Sequence, residues 1–243
     1  MNVVYTRSEI RRSFRNPRYL FFTFGFPLVM FLVLQSTYGK GKVSGLAVAA
    51  YLMVSMATFG ALSAVFSTGG RIALERELNW NRQLRLTGLS GRAYVSGKAL
   101  SGFAVAVPAM AGVFAAAALF QHVHLSTGRW LMVFASILVA LIPIAALGIW
   151  IGYVARGDSL QAISGGVYSL LALFGGLWIP VTVFPHWLQV VCKTLPVYWI
   201  AQSGRQALIG SWVGWGGLAV LVAWTLGLGG LAGRAYLRTT DRS

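Results

Sequence analysis

The residues best equipped for chemistry crowd into one stretch, 75–98, which reads ERELNWNRQLRLTGLSGRAYVSGK. It holds Glu75 and Glu77, two of the five acidic residues of the chain, and five of its twenty basic ones. Gly88-Leu89-Ser90-Gly91 has the G-x-S-G pattern of a nucleophilic serine, and Gly91 to Lys98 has part of a phosphate-cradling loop. Neither meets its geometric requirement. The phosphate loop needs G-x-x-x-x-G-K-[ST] after a strand; here Arg92 holds the place of the first glycine and Ala99 that of the hydroxyl. A nucleophilic serine needs a histidine base within reach, whereas His122, His124 and His186 fall in or beside loops expected on the opposite face. His122-x-His124 reads as an interfacial pair rather than a metal site. The single cysteine, Cys192, excludes an intramolecular disulfide.

The elements that must position this polar stretch are apolar. Of 243 residues, 57% are hydrophobic and only 10% charged, with mean hydropathy +0.69; a soluble domain carries about 25% charged residues. A helix rises about 1.5 Å per residue, so crossing a hydrocarbon layer about 30 Å thick takes roughly 20 apolar residues. The intervals free of charge supply six such runs, near 19–38, 46–68, 99–121, 131–154, 160–180 and 213–233. The expected fold is therefore all-α and membrane-integral with six transmembrane helices. Pro27, Pro108 and Pro143 lie inside the spans, which buried membrane helices tolerate.

Six crossings put both termini on one side. Fifteen of the twenty Lys and Arg then lie on the side of the termini, and only Lys40, Lys42, Arg129, Lys193 and Arg205 on the other. The positive-inside rule places the termini in the cytoplasm. The net charge of +15 is thereby explained by juxtamembrane attraction to anionic lipid, without nucleic acid. Residues 2–15 are expected to form an interfacial helix with Val3, Ile10 and Phe14 on one face, broken at Asn16-Pro17. The apolar run after it lacks a small-x-small cleavage site before LQSTYGKGK and reads as a retained span.

The polar stretch thus joins the second and third spans on the cytoplasmic face. Residues 71–86 contain no Gly or Pro and favour a helix; TGLSG at 87–91 reads as a turn, with Ser90 a candidate N-cap for the next helix. With no nucleotide site, no catalytic group and no ionisable residue within the spans, the chain has no evident energy source of its own. A polar helix with Leu and Trp anchors amid charge is instead a surface on which a motor protein could push. A partner-independent channel or carrier, and a rhomboid-like intramembrane protease acting through Ser90, are the alternatives from other classes.

The sequence at 75–100 resembles the corresponding loop of type-2 ABC exporter permeases, where an E-R-E start, a Leu-rich helix, an L-x-x-T-P-L-S turn and a Y-x-x-x-K-x-L entry to the third span recur. Glu75-Arg76-Glu77, Leu84 to Thr87, Leu89-Ser90 and Tyr94 with Lys98 occupy those places. Gly88 replaces the proline and also suits a tight turn. A second region, 177–210, is similar to the short outer helices that precede the last span in these permeases, through Pro180, Pro185, Trp187, Leu188, Pro196 and Gln202 to Leu208.

The resemblance implies a connector helix at 1–18, a six-span domain at 19–243, a cytoplasmic coupling helix within a loop at 71–97, and an outer re-entrant segment at 181–211. It implies a half-transporter in a bacterial plasma membrane: a second copy completes the pore, and each copy docks a separate ATPase subunit that holds ATP and Mg. Glu75, Arg76, Glu77, Trp80, Arg82, Leu84 and Arg85 are then the candidate coupling residues, with local pairing to Arg71, Arg76 or Arg82 the competing role for the two glutamates. Ser55, Thr58, Phe59, Ser63, Tyr168, Phe174 and Trp178 are the candidate pathway residues, with helix packing their competing role.

Overall fold

A helix that is apolar on every side has no face to offer water and must be surrounded. In the computed structural model, which describes residues 3–39, 41–78, 90–155 and 159–240, that helix is Val48–Glu77. Buried residues make up 83% of its most apolar stretch, against 22% for the first and last candidate spans. It is the axis on which the other helices pack.

In chain order, the elements are α1 (Val3–Phe14) and α2 (Pro17–Tyr38), whose Phe21–Gly25 stretch is π-helical. A hairpin, β1 (Lys42–Val43) and β2 (Leu46–Ala47), leads into α3 (Val48–Glu77). Then come α4 (Gly91–Phe120), α5 (Thr127–Ala140) with α6 (Ile142–Val154), α7 (Ser159–Phe174), α8 (His186–Thr194), α9 (Pro196–Leu208) and α10 (Gly214–Thr240). Among the described residues five helices are long and apolar enough to cross a membrane: Pro17–Tyr38, Val48–Glu77, Ala93–Phe120, Thr127–Val154 and Gly214–Leu237. Gly165–Phe174 is a shorter apolar helix.

Local chemistry sets several boundaries as expected. Asn16 caps α2 by accepting from the Tyr19 N–H at 3.1 Å, with Pro17 at the first helical position. Ser90 caps α4 by accepting from the Ala93 N–H. The 42–47 hairpin is an addition: Lys42 pairs with Ala47 and Val43 with Leu46, across Ser44 and Gly45, both at positive φ (50° and 81°) as a primed two-residue turn requires.

Two sequence expectations are corrected. The helix of the second span does not end near residue 68; it runs on to Glu77, so residues 71–77 extend α3 rather than begin a separate helix. The Gly69-Gly70 pair does not break it because Gly69 is in close contact with α6. The span expected at 160–180 stops at Phe174. Gly176, at φ +68°, donates its N–H to the Leu173 carbonyl while the Leu177 N–H reaches Ala172, the paired bonds that end a helix in a left-handed residue. Residues 79–89, including Trp80, Arg82, Leu84 and Arg85, lie outside the described residues.

The α3–α6 contact is made by backbone. A Cβ built on Gly69 would stand 2.1 Å from the Gly148 carbonyl oxygen, and one on Gly152 would stand 2.6 Å from the Gly69 oxygen. Small residues let apolar helices approach until their backbones touch. Gly69→Val is therefore expected to cost about 3 kcal/mol or to prevent folding, whereas Gly70→Ala, with open space around its Cβ, should stabilise the helix by about 0.5–1 kcal/mol. Thermal unfolding in detergent measures both; equal effects would refute the backbone contact.

Candidate functional site

The α1 side of the bundle is held by charge. Lys98, on the first turns of α4, has no solvent exposure, and its Nζ lies 2.5 Å from Glu9 Oε2 and 2.6 Å from Glu75 Oε1. Glu75 also accepts from Arg12 Nη1 at 3.0 Å and from the Tyr94 hydroxyl at 2.7 Å. Helical spacing explains the supply of partners. Glu9 with Arg12, and Tyr94 with Lys98, stand three and four residues apart, so each pair shares a face. The two carboxylates balance the two cations. The same face of α1 holds Ser13, which accepts from Arg71 Nη1, and Tyr5, whose hydroxyl ionises well above the ordinary tyrosine range, mainly through burial and then through Glu9 and Glu75.

This arrangement inverts the usual amphipathic helix. The residues of α1 that are buried are Thr6, Glu9 and Ser13, while Val3, Val4 and Phe14 are exposed. The buried face that grips the protein is polar, and the outward side mixes Val3 and Val4 with Arg7, Ser8 and Arg11.

Among the candidate coupling residues, Glu75 is buried and bonded as described. Arg76 donates to the carbonyls of Gly152 at 2.9 Å and Tyr153 at 2.5 Å, at the C-terminal end of α6, where a cation is favoured by the helix dipole. Both therefore fasten α3 to its neighbours, and among the described residues Glu75 pairs with Arg12, Tyr94 and Lys98. Leu74, Glu77 and Leu78 are the exposed side chains at the same tip.

The candidate pathway residues fall into two groups. Phe59 is buried against Tyr168 and Trp178, with ring centroids at 5.1 Å and 5.6 Å, and the Tyr168 hydroxyl donates to the Phe59 carbonyl at 3.2 Å. Phe26 closes the same cluster from α2 at 5.5 Å. Thr58 is fully buried, Ser63 half-buried, and Phe174 half-buried without a ring partner among the described residues. Ser55 belongs elsewhere. Its hydroxyl accepts from Arg205 Nη2 at 3.0 Å and donates to the Tyr51 carbonyl at 3.0 Å.

Sequence reasoning missed Glu9, Arg12 and Arg205. Glu9 could have been found from the four-residue spacing of Tyr94 and Lys98, which needed an acidic partner on another element; Arg12 follows only from its place one turn after Glu9. Arg205, on α9, carried no local signal; its partners Ser55 and Gly176 are 150 and 29 residues away.

Lys98→Met leaves Glu9 and Glu75 buried with less compensation, and a broken buried pair costs about 3–5 kcal/mol. Its unfolding midpoint should fall accordingly, while the triple variant Glu9→Gln, Glu75→Gln, Lys98→Met should regain most of that loss. A triple variant as unstable as the single one would show that the cluster acts through shape rather than charge.

The ABC-2 type transporter family matches residues 2–209 of this chain. Over 201 residues it is 29% identical to the protein described as "Putative transport permease YvfS" of Bacillus subtilis (strain 168), covering 82% of each chain. With the family match over most of its length and its apolar helices, the chain belongs to the ABC-2 type transporter family, as a multi-pass membrane permease.

Proposed function

We propose that the chain is one half of the membrane domain of an ATP-driven exporter, opened by force delivered to the exposed tip of α3. The observation that carries this reading is mechanical. One uninterrupted helix, 30 residues and so about 45 Å long, joins the Ser55 to Ser63 stretch to the tip at Leu74, Glu77 and Leu78. Near that tip, Glu75 and Arg76 tie it to α1, α4 and α6. A push there moves a braced unit instead of bending a free end, which is the rigid-body kind of switching.

In this reading α7 with Leu177–Pro180 supplies a sixth, shorter crossing, and the Lys and Arg bias sets both termini in the cytoplasm of a bacterium. Val3, Val4 and Phe14 of α1 face lipid at the inner surface, and residues 181–211 lie at the outer one. A second copy of the chain completes the pathway. ATP and Mg belong to a separate ATPase subunit, whose differing affinity for two permease states drives alternation between them. Glu77, with Leu74 and Leu78, is the contact offered to that motor; Glu75 and Arg76 act by bracing it.

Co-expression with a cognate ABC ATPase subunit is expected to give a stable complex with transport-coupled hydrolysis. Leu78→Asp should cut that hydrolysis about tenfold, the scale of losing one anchoring contact, while leaving the unfolding midpoint of the isolated chain unchanged. Solute flux through liposomes carrying this chain alone, or failure to copurify with the ATPase, would overturn the proposal.

A further inference from the structure

At the end of the bundle that carries the hairpin, Arg205 is buried, only 6% exposed, with an incomplete set of partners. Its Nη2 donates to the Gly176 carbonyl at 2.6 Å and to Ser55 Oγ at 3.0 Å, and its guanidinium carbon stands 4.1 Å from the Tyr51 ring centroid. These contacts fix the plane of the group. None of them carries a negative charge, and Nε, also buried, has no hydrogen-bond partner. A buried cation is tolerated when a counter-charge accompanies it, and a buried donor left unpaired costs about 1–3 kcal/mol.

Among the described residues, no acid stands near it. The sequence contains no Asp or Glu between residues 10 and 74, 78 and 157, or 159 and 240. The segments at this end, 39–47, 121–126 and 175–213, therefore contain none. What Arg205 does line is a cavity of about 370 Å³, within the range of small-molecule pockets, roughly 300–1,000 Å³. Lys193 from α8 adds a second cation, and Tyr198, Gln202, Thr182 and Ser44 add neutral hydrogen-bonding groups. Leu46, Val181 and Ile209 supply apolar wall.

We infer that this cavity binds a phosphate group, carried either by a lipid headgroup or by a water-soluble phosphate compound, between Arg205 and Lys193. A planar guanidinium already held by a carbonyl, a hydroxyl and an aromatic face presents its remaining N–H to an oxyanion without further ordering. The exposed ammonium of Lys193 closes on the same anion from the rim. The ligand supplies the negative charge that the polypeptide withholds.

The test uses the full chain in phosphate-free dodecyl maltoside micelles, following the thermal midpoint against added inorganic phosphate or dihexanoyl phosphatidylglycerol, with chloride at matched ionic strength as control. A saturable rise with inorganic phosphate alone identifies a soluble phosphate compound, a rise with the lipid alone identifies a headgroup, and a rise with both identifies a site for the shared group. Lys193→Gln, at an exposed position that leaves the fold intact, is expected to weaken the apparent affinity roughly tenfold, the scale of one charge-assisted hydrogen bond. Arg205→Lys keeps the charge but not the fork and should weaken it further; if that variant does not fold, Lys193→Gln decides alone. Absence of a saturable rise with either ligand, the same rise with chloride, or undiminished affinity in Lys193→Gln overturns the inference.

Discussion

Lys98 puts an ammonium group where water does not reach, and removing such an ion from water costs several kcal/mol unless it is matched at close range. Two carboxylates match it, one from the N-terminal helix and one from the central helix. That demand explains several otherwise unrelated features. It accounts for α1 burying its polar side, for Arg12 and Tyr94 converging on Glu75, and for α3 remaining helical well past the apolar part of its span. Three elements far apart in the chain are held in one register by a single neutral cluster.

The rest of the packing depends on close approach rather than on charge. Gly69, Gly148 and Gly152 bring α3 and α6 together until carbonyls replace side chains at the contact. Apolar helices in lipid gain little from hydrophobic sorting, so van der Waals contact at short range is what holds them. The glycine contact and the ion cluster brace the same third of α3 from different sides, and Arg76 adds a third tie through the terminal carbonyls of α6. The end of this long helix is thereby packed as one unit with α1, α4 and α6.

The two ends of the bundle solve the burial of cations differently. At the α1 end, glutamates from the chain itself neutralise the buried Lys98. At the hairpin end, Arg205 has a carbonyl, a hydroxyl and a ring, all neutral. The aromatic cluster of Phe26, Phe59, Tyr168 and Trp178 lies along the chain between these regimes and is bonded mainly within itself. Side chains expected from sequence to line a passage serve here as joints between α2, α3, α7 and the segment around Gly176.

Much of the fold was legible along the chain. The apolar run at 19–38 appears as Pro17–Tyr38, that at 131–154 as Thr127–Val154, the break falls at Asn16-Pro17, and Ser90 forms the expected cap. Transfer into an apolar medium is summed residue by residue, and a cap bonds within its own turn, so both are properties of a short stretch read alone. The continuation of α3 to Glu77, the halt of α7 at Phe174, and the partners of Glu75, Lys98 and Arg205 were not legible in that way. Glu9 meets Lys98 across 89 residues and Ser55 meets Arg205 across 150. The sequence by itself determined that the chain enters a membrane and roughly where it crosses. The tertiary structure decided which charges are neutralised and by whom, because a buried charge takes its partner from whichever helix packs beside it.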